Sequence, residues 1–351
     1  MNARKDSSRP LRRGWTTGAC ATAAVKAALM ALWGEEAPAR VSIRLPGGEE
    51  PEFAVIDQRF GRGWAQAGIV KDAGDDPDVT HGLTVLARVA PGGSGLRFRG
   101  GEGVGMVTRP GLPVAVGEPA INPKPREMIG AVVAELAAQY GRAPDVEVEI
   151  SIPGGRKVAF RTWNPRLGIV DGLSVLGTTG IVRPFSCSSW IASIHRGIDV
   201  ARAGGLTHVA GATGKMSERA VKARFGLPDH ALLDMGDFVG GMLKYLQKHP
   251  VSRVTIAGGF GKLAKLGQGA IDLHSARSQV DFDALAALVG APDIAQANTV
   301  LEAYERHGAL LAQAVAEQAL AAVEARFSHP EMRYDVLVVD RDGTIVGEAG
   351  T

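Results

Sequence analysis

The spacing of apolar positions along this chain changes near Arg183. Before that residue, apolar and polar residues alternate over short stretches that end in Gly and Pro, which is typical of strands joined by turns. After it, stretches with helical spacing separate short apolar runs, which is typical of a parallel sheet with right-handed crossovers. The fold class predicted is therefore α/β and α+β: an N-terminal α+β domain over residues 14–185 and a C-terminal Rossmann-like parallel α/β domain over residues 186–351.

The N-terminal half contains an imperfect repeat. Val41–Val55 and Val148–Phe160 each hold an alternating strand, a Pro-Gly-Gly turn and a second apolar run. A Gly-Ile-Val tripeptide follows each copy, beginning at Gly68 and at Gly168. The repeat predicts a strand–PGG–strand unit in each of two related lobes that share one sheet. Two helices are expected in the same half, at Ala19–Trp33 and Arg126–Tyr140.

Helices and strands alternate in the C-terminal half. The predicted helices are 187–203, 217–225, 237–247, 282–289 and 299–327, and the predicted strands are 207–210, 231–235, 254–257 and 335–339. The last strand leads into Asp340–Thr344, which imitates the nucleophile motif of aspartyl phosphatases. Because that chemistry needs a whole α/β domain after the motif, we expect a terminal hairpin with an Asp-Gly turn instead.

Two glycine-rich turns that end in lysine indicate a ligand site. They are Thr207–Lys215 and Val254–Lys262, each of which leads from an apolar run into a helical stretch. Glycine lets the backbone turn sharply and expose N–H groups, and the following helix adds a partial positive charge. Neither turn has the spacing G-x-G-x-x-G or that of a phosphate loop. Together they predict a nucleotide-type cofactor at the carboxyl ends of the strands.

Composition excludes several classes of function. The 351 residues are 45% hydrophobic, 22% charged and only 5% aromatic, with a net charge of +2. Few aromatic residues and a small net charge argue against nucleic-acid binding. The apolar stretch at Ala19–Trp33 contains Lys26 and is short for a membrane span, and no signal peptide is recognisable. We expect a soluble cytoplasmic protein with a disordered basic tail over residues 1–13.

The two cysteines do not indicate a metal or a nucleophile. Cys20 and Cys187 are too few for a zinc cage or a disulfide framework, and both are expected as buried thiols. His195 follows Cys187 on one predicted helix, about two turns or about 12 Å along the axis. That separation is too long for a nucleophile–base hydrogen bond.

Lys71–Gly82 is the densest polar cluster of the chain. Besides Lys71 it contains Asp72, Asp75, Asp76, Asp78 and His81. Three interpretations are open: a solvated acidic loop, a carboxylate site for Mg²⁺ or Ca²⁺, and the polar wall of an active site. The spacing lacks the glycine and the terminal glutamate of an EF-hand, and an apolar strand ending at Val70 feeds the loop directly. We favour the active-site wall, with no resident metal.

Eight longer segments share a resemblance to one family. They are Gly14–Ala24, Lys71–Gly82, Gly101–Gly111, Glu118–Glu127, Val175–Pro184, Gly214–Glu218, Met235–Gly240 and Ala257–Lys265. Together they resemble the CbiD family, cobalt-precorrin-5B C(1)-methyltransferases of cobalamin biosynthesis. The likeness spans the chain from about Arg13 to Arg333. It implies methylation of carbon 1 of a corrinoid by S-adenosylmethionine, with cobalt arriving only as part of the substrate.

The resemblance also implies where the two ligands bind. Carboxylates on the rim of the corrinoid need arginine and lysine, and these lie in the N-terminal domain. The implied substrate-binding residues are Thr16, Thr17, Gly18, Asp72, Asp75, Asp76, Asp78, Glu102, Arg109, Asn122, Lys124, Arg126, Thr178, Thr179 and Arg183. The implied cofactor-binding residues are Gly211, Thr213, Gly214, Lys215, Asp234, Asp237, Gly258, Gly259, Gly261 and Lys262. His81 is the favoured catalytic base, because an unperturbed histidine titrates at about pH 6.5.

Two other functions remain open at this point. A non-catalytic corrinoid-binding carrier would need the N-terminal segments but not the paired glycine turns. A nicotinamide-dependent tetrapyrrole reductase would need a G-x-G-x-x-G motif, which this sequence lacks. The expected partner is a small corrinoid molecule, with no nucleic acid and no membrane, and a homo-oligomer is compatible with the sequence.

Overall fold

The computed structural model describes residues 10–34 and 37–350. The chain divides into two compact units, Met1–Ser186 and Cys187–Thr351, a boundary one residue from the one expected from the sequence. Of the predicted basic tail, residues 1–9 lie outside the described residues. Residues 10–13 do not fit a disordered tail, because the Arg12 N–H donates to Asp75 Oδ2 at 2.6 Å and the Arg12 guanidinium pairs with Asp72.

Unit 1 is built on a five-stranded mixed sheet, antiparallel except for the β7–β9 pair, with helices and small ribbons. Its helices are α1 (Thr17–Gly34), α2 (Pro123–Tyr140) and α3 (Gly155–Ala159). Its strands are β1 (Gly14–Trp15), β2 (Arg40–Ser42), β3 (Glu52–Ala54), β4 (Ile56–Gly61), β5 (Trp64–Val70), β6 (Thr84–Pro91), β7 (Arg97–Gly100), β8 (Met106–Val107), β9 (Val146–Ser151), β10 (Ile169–Val170) and β11 (Ile181–Val182). The main sheet has the order β4-β5-β6-β9-β7, and β1–β11, β2–β3 and β8–β10 form two-stranded ribbons.

Helix α1 forms the centre of the core of unit 1. Its alanines and small residues let the helix backbone approach strands β5 and β6 and helix α2 closely. The helix is long and apolar enough to cross a membrane by composition, with a mean hydropathy of 1.2, yet 67% of that window is buried inside the protein. A core helix of a folded protein accounts for these values.

The predicted repeat holds in one copy only. The first copy forms the β2–β3 hairpin, but in the second copy the residues after the Pro-Gly-Gly turn form helix α3 instead of a strand. Strand β9 is already paired with β6 on one edge and β7 on the other, so no edge is left for a hairpin partner. The two copies also lie in different sheets, so the prediction of one shared sheet is wrong.

Unit 2 has the predicted parallel sheet flanked by helices. Its helices are α4 (Cys187–Ala203), α5 (Lys215–Phe225), α6 (Val239–Leu246), α7 (Phe260–Gly267), α8 (Phe282–Val289) and α9 (Val300–Phe327). Its strands are β12 (His208–Ala212), β13 (Leu232–Asp234), β14 (Arg253–Gly259), β15 (Arg333–Val339) and β16 (Ile345–Ala349). The order is β13-β12-β14-β15-β16, parallel except for β16. The β15–β16 pair is the expected terminal hairpin.

Candidate active site

The order of the C-terminal sheet creates a place for a ligand at the carboxyl ends of its strands. Strand β12, the first of this sheet along the chain, has β13 on one side and β14 on the other. The connections from β12 and from β14 therefore diverge to opposite directions along the sheet. In open α/β sheets, ligands bind in the crevice at such a switch point. Both glycine-rich turns follow these two strands.

The two turns contact each other directly. The Thr213 N–H, just after β12, donates to the Ala257 carbonyl in β14 at 2.9 Å. A Cβ atom on Gly258 would lie 2.7 Å from Thr213 Cγ2, so this close approach requires glycine. Gly259 is different, because a Cβ atom there would meet nothing within 4 Å. Gly259 thus borders open space at the beginning of α7.

A cavity of about 570 Å³ opens at this edge of the sheet. Aromatic side chains form part of its wall, with the Phe260 and Tyr304 rings 5.4 Å apart. The lining residues are Thr213, Gly259, Phe260, Gly261, Lys262, Lys265, Gln279, Val280, Phe282, Asn298, Thr299, Val300, Leu301, Tyr304, Val339, Asp340, Arg341 and Val346. Its volume and its mixed apolar and polar wall are typical of a small-molecule site.

Charged groups converge on one side of the cavity. Lys262 Nζ lies 3.0 Å from Asp237 Oδ1 and 3.3 Å from the Thr213 carbonyl. The contact with Asp237 is an ion pair without hydrogen-bond geometry, since Asp237 Oδ1 is buried and has no hydrogen-bond partner. Lys265 is buried and donates to the carbonyls of Leu273 and Ser278. Burial lowers the pKa of Lys265, although the nearby Asp237 carboxylate partly opposes this effect.

Four predicted cofactor residues line the cavity, namely Thr213, Gly259, Gly261 and Lys262. A fifth, Asp237, forms an ion pair with Lys262.

Gly211 does not fit its expected role as a residue that contacts the cofactor. It lies inside β12, where a Cβ atom would be 2.5 Å from Met242 Sδ, so its small size serves packing beneath the sheet. Gly258 likewise lies in β14 and serves the contact between the turns.

The other predicted cofactor residues lie at element ends without lining the cavity. Gly214 caps the beginning of α5 with an extended φ of 172°, and Lys215 is the first residue of that helix. Asp234 ends β13, and its carbonyl accepts a hydrogen bond from Trp190 Nε1 at 2.8 Å. These three residues remain unassigned.

Sequence reasoning missed the wall contributed by the beginning of α9. Thr299 Oγ1 accepts a hydrogen bond from the Glu302 N–H at 3.1 Å, and Glu302 Oε2 accepts one from the Asn298 N–H at 2.9 Å. Thr299 is the N-cap of α9, and the sequence has the capping-box pattern T-x-x-E at residues 299–302, although Glu302 reaches the N–H of Asn298 and not that of the N-cap residue. The pattern marks where the helix begins but does not show that this end faces a cavity.

The Asp-rich loop of unit 1 is organised by internal contacts. Lys71 is 2% exposed, and its Nζ lies 2.7 Å from Asp78 Oδ2, while Asp78 Oδ1 accepts hydrogen bonds from the N–H and the hydroxyl of Thr80. Burial alone would raise the pKa of Asp78, but the Lys71 ammonium and the Thr80 donors outweigh burial and lower the pKa. Asp72 accepts a hydrogen bond from the Gly74 N–H at 2.9 Å. The carboxylates of Asp72 and Asp78 therefore hold the conformation of the Lys71–Gly82 loop.

The remaining aspartates of the loop tie it to neighbouring segments. Asp75 accepts the Arg12 N–H, and Asp76 accepts the Phe185 N–H at 2.9 Å. The Arg12 guanidinium, hydrogen-bonded to Asp72, lowers the pKa of that carboxyl. Within residues 10–34 and 37–350, no group of three or more His, Cys, Asp or Glu side chains is arranged to hold a metal ion.

The geometry of His81 argues against its predicted role as a base. His81 Nδ1 accepts a hydrogen bond from the Ala73 N–H at 3.1 Å. A neutral imidazole that accepts at Nδ1 carries its proton on Nε2, so the solvent-facing nitrogen is a donor. The side chain is 53% exposed, and Nδ1 lies 3.8 Å from Asp72 Oδ1. With Nδ1 occupied in this way, His81 is arranged to donate a hydrogen bond from Nε2.

Three predicted substrate residues instead hold the beginning of α1. Thr16 Oγ1 accepts the Ala19 N–H at 3.2 Å. The buried Thr17 hydroxyl bonds to the Ser174 and Leu176 backbone. A Cβ atom on Gly18 would lie 2.7 Å from Pro125 Cγ. Contacts with the protein occupy these groups, so they are poorly placed to bind substrate.

The cations predicted to bind substrate carboxylates differ in how many contacts they make within the protein. Arg126 is occupied: it donates to the Ile121 carbonyl at 2.8 Å and to Glu118 Oε2 at 3.1 Å, and it lies 5.1 Å from the Phe98 ring centroid. Arg126 thus connects the beginning of α2 to the segment before it, through the Ile121 carbonyl and the Glu118 carboxylate. Lys124 pairs with Glu127 one turn along α2. Arg109 donates to the Arg166 carbonyl at 3.4 Å, and Arg183 is exposed.

The other predicted polar residues lie on loops of unit 1. Glu102 Oε1 accepts the Gly154 N–H at 3.4 Å, and Asn122 precedes α2 without a side-chain cap bond. Thr179 Oγ1 accepts the Ile181 N–H at 3.2 Å, and Thr178 is exposed. Asn122 and Thr178 keep side chains that a ligand could contact.

The two cysteines have different surroundings. Cys20 is buried as expected, and burial raises its pKa to about 12. Cys187 is only partly buried, and its Sγ accepts a contact from Arg277 Nη2 at 3.5 Å, so the prediction of two buried thiols is wrong for Cys187. Cys187 is the first residue of α4, and the buried residues of that helix begin at Ile194.

Two sequence profiles match this chain, that of CbiD over residues 4–184 and that of the CbiD C-terminal domain over residues 272–350. A curated relative from Paramagnetospirillum magneticum is 60% identical, over 97% of this chain and 98% of its own length. The chain belongs to the CbiD family. Relatives from Rhodospirillum rubrum and Brucella anthropi are 56% and 55% identical over 98% and 96% of this chain, and 99% and 95% of their own lengths. All three are named cobalt-precorrin-5B C(1)-methyltransferase.

A crystal structure described as a cobalamin biosynthesis protein (cbiD) from Archaeoglobus fulgidus is 26% identical and covers 85% of each chain, with a TM-score of 0.41. That score is too low to support any statement about the fold.

Three of the segments that resemble the CbiD family meet in unit 1. The Trp15 N–H donates to the Asp72 carbonyl at 2.7 Å, and the Gly18 N–H donates to the Leu176 carbonyl at 2.9 Å. A Cβ atom on Gly14 would lie 2.1 Å from the Ala73 carbonyl carbon, so this contact requires glycine. The segments Gly14–Ala24, Lys71–Gly82 and Val175–Pro184 thus form one structural cluster.

Proposed function

We propose that this chain methylates carbon 1 of cobalt-precorrin-5B, with S-adenosylmethionine as methyl donor, in cobalamin biosynthesis. The observation that carries the proposal is the 60% identity to a relative of that name over 97% of this chain. The match extends over both units of this chain.

The cavity of unit 2 fits the donor. Its volume of about 570 Å³ is large enough for a nucleoside with an amino-acid side arm. Phe260 and Tyr304 offer aromatic faces for a base, and Lys262 and Arg341 offer cations for a carboxylate. Asp340 supplies a carboxylate at the same wall, suited to hydroxyls or a cationic centre. Gly259 leaves room for close approach.

The chemical demand on the protein is small. The sulfonium supplies an already activated methyl group, so the protein contributes mainly by holding the two reactants in line. Lys262, fixed by Asp237 and the Thr213 carbonyl, would orient the donor within the cavity. His81 would donate from Nε2 to a substrate oxygen or nitrogen, which replaces its predicted role as base.

The experiment that tests this function is a single-turnover assay. Purified protein with cobalt-precorrin-5B and methyl-labelled donor should yield labelled corrinoid, heavier by one methylene, and stoichiometric S-adenosylhomocysteine. Corrinoid binding without transfer would favour a carrier.

His81→Ala should lower the rate by about 10²-fold or more while both ligands still bind. Full activity of that variant would remove His81 from the site.

We propose a cytoplasmic location for this reaction, because α1, the one helix within residues 10–34 and 37–350 that is long and apolar enough to cross a membrane, is 67% buried inside the protein. Cell fractionation with an antibody to the chain tests the location, and recovery in the membrane fraction would contradict it.

A further inference from the structure

Lys265 is a buried cation in the wall of the cavity of unit 2. It follows Lys262 by one helical turn on α7, so both side chains lie on the same face of the helix, and both line the cavity. Lys265 is only 7% exposed, whereas Lys262 is half-buried. A buried charge is costly unless an opposite charge or a set of hydrogen bonds compensates it. The partners of Lys265 therefore decide what its ammonium can bind.

The hydrogen-bond partners of Lys265 inside the protein are neutral. Its Nζ donates to the carbonyls of Leu273 and Ser278, which lie in the segment 268–281 between α7 and α8. An ammonium has three N–H donors, and within the described residues 10–34 and 37–350 these two carbonyls are its only acceptors. One donor of a buried ammonium is thus left for a group inside the cavity.

The carboxylates that act electrostatically on Lys265 have cations of their own. Asp237 pairs with Lys262 at 3.0 Å, and Asp272 pairs with Arg277. Burial, the largest influence, lowers the pKa of Lys265, and these two carboxylates oppose the effect only in part. The Lys265 charge therefore lacks a carboxylate partner in the described part of the chain.

Two further charged residues line the cavity, Asp340 and Arg341. They are neighbours in the turn after β15, their charges are opposite, and Arg341 is exposed. Asp340 Oδ1 accepts the N–H groups of Asp342 and Thr344 at 2.9 and 2.8 Å, so this carboxylate holds its own turn. Among the described residues that line the cavity, Lys265 is the one buried cation.

We propose that Lys265 binds the carboxylate on the amino-acid arm of the methyl donor, an inference that rests on the function proposed above. S-adenosylmethionine carries one carboxylate, and a carboxylate is the group that compensates a buried ammonium. The third N–H of Lys265 donates to it, while the carbonyls of Leu273 and Ser278 keep the other two. Lys265 lies one helical turn beyond the second glycine-rich turn, so that turn by itself does not indicate it.

Two ligands that differ by one group isolate this contact. Decarboxylated S-adenosylhomocysteine keeps the nucleoside, the sulfur and the amine of S-adenosylhomocysteine but lacks its carboxylate. The wild-type chain should bind S-adenosylhomocysteine about ten- to hundredfold more tightly than the decarboxylated form, because only the former makes the charge-assisted contact. Titration calorimetry measures both affinities.

Lys265→Met should abolish this preference. Methionine keeps most of the length of the side chain but carries no charge, so S-adenosylhomocysteine should bind about ten- to hundredfold more weakly. The affinity for the decarboxylated form should change much less. If Lys265 only held the segment 268–281 in place, both ligands would lose affinity by the same factor and the preference would remain.

A second variant and a control accompany this measurement. Lys265→Gln retains an N–H donor for a loop carbonyl and should lose the preference as Lys265→Met does. Lys244→Met, at an exposed lysine of α6, should keep the preference of the wild-type chain. Circular dichroism checks that each variant is folded.

Three results would overturn the proposal. The first is equal affinity of the wild-type chain for the two ligands, which needs no variant. The second is an intact preference in Lys265→Met or Lys265→Gln when the variant is folded. The third is a preference that Arg341→Gln abolishes and the Lys265 variants keep, which would assign the carboxylate to the exposed turn.

Failure of this inference and failure of the proposed function give different results. If the wild-type chain binds neither ligand and transfers no methyl group, the function is wrong and the inference with it. If the chain transfers the methyl group and both Lys265 variants keep the preference, only the assignment of Lys265 is wrong.

Discussion

At the scale of single residues, the buried Lys71 ammonium controls the Asp-rich loop. A charge in an environment that excludes water has to be neutralised, and Asp78 is its ion-pair partner at 2.7 Å. Removing one partner of a buried pair leaves the other charge uncompensated. The loop conformation and the stability of unit 1 therefore depend on the same contact.

We predict that Asp78→Asn lowers the free energy of unfolding by about 3 kcal/mol at pH 7. Because the folded pKa of Asp78 is lowered, its carboxylate stabilises the fold above the unfolded pKa of about 3.9. That contribution is lost as the pH falls through the folded value, so the two proteins should converge at acid pH. Urea unfolding at several pH values measures both effects. Asp75→Asn, at an exposed carboxylate, is the control and should cost less than about 1 kcal/mol.

Residue types in the matching segments indicated which positions matter but not in what way. Thr17 and Arg126 were expected at the substrate, and both are occupied by backbone carbonyls of their own unit. A sequence shows that a polar group is present, while its partner depends on which loop the fold brings beside it. The orientation of His81 was hidden for the same reason, since its Nδ1 partner is a backbone N–H.

At the scale of elements, the turn from β14 into α7 is the most sensitive part of the proposed donor site. Gly259 has φ of −67° and ψ of 152°, which any residue adopts, and a Cβ atom there meets nothing within 4 Å. We predict that Gly259→Val folds normally but weakens S-adenosylhomocysteine binding about tenfold or more, because the new side chain enters the cavity. Titration calorimetry measures the affinity.

Gly47→Val is a matched control, since Gly47 also borders open space but lies in the β2–β3 turn. The affinity of Gly47→Val for S-adenosylhomocysteine should equal that of the wild-type chain. Unchanged affinity in folded Gly259→Val would place the cofactor elsewhere.

Local sequence predicted the elements of unit 2 well, because each strand and helix there has its own periodicity. Helix α4 begins and ends where expected, at Cys187 and Ala203. The prediction from local sequence was wrong after the second Pro-Gly-Gly turn. There the choice between strand and helix depends on both edges of β9 being paired. That pairing joins residues far apart in the chain, so no local pattern reports it.

At the scale of the whole molecule, two units with separate cores carry the two proposed ligand sites. We predict that the sites are separable: Gly259→Val should retain its affinity for cobyrinic acid, a corrinoid with free carboxylates, while its affinity for S-adenosylhomocysteine falls. Both affinities are measured on the full chain. A parallel loss of affinity for both ligands in Gly259→Val would contradict the assignment of one ligand to each unit.

The division into an α+β half and an α/β half was readable from the sequence, because the period of apolar positions changes between them. The sequence predicted a ligand at the carboxyl ends of the strands. The order of the strands, which decides where along that edge the cavity lies, could not be read from it.

Helix α1 has a consequence for how this chain tolerates substitution over generations. Apart from Lys26, which reaches Glu135 of α2, every residue from Thr17 to Leu29 is buried, so the helix has no side on which a larger residue can project into water. In a saturation mutagenesis screen for growth without added cobalamin, we predict a continuous intolerant block over these residues. Helix α2 buries Met128, Val132 and Leu136 with helical spacing, and its tolerance should rise and fall once per turn. The buried alanines of α1 are thus the part of the sequence least free to change.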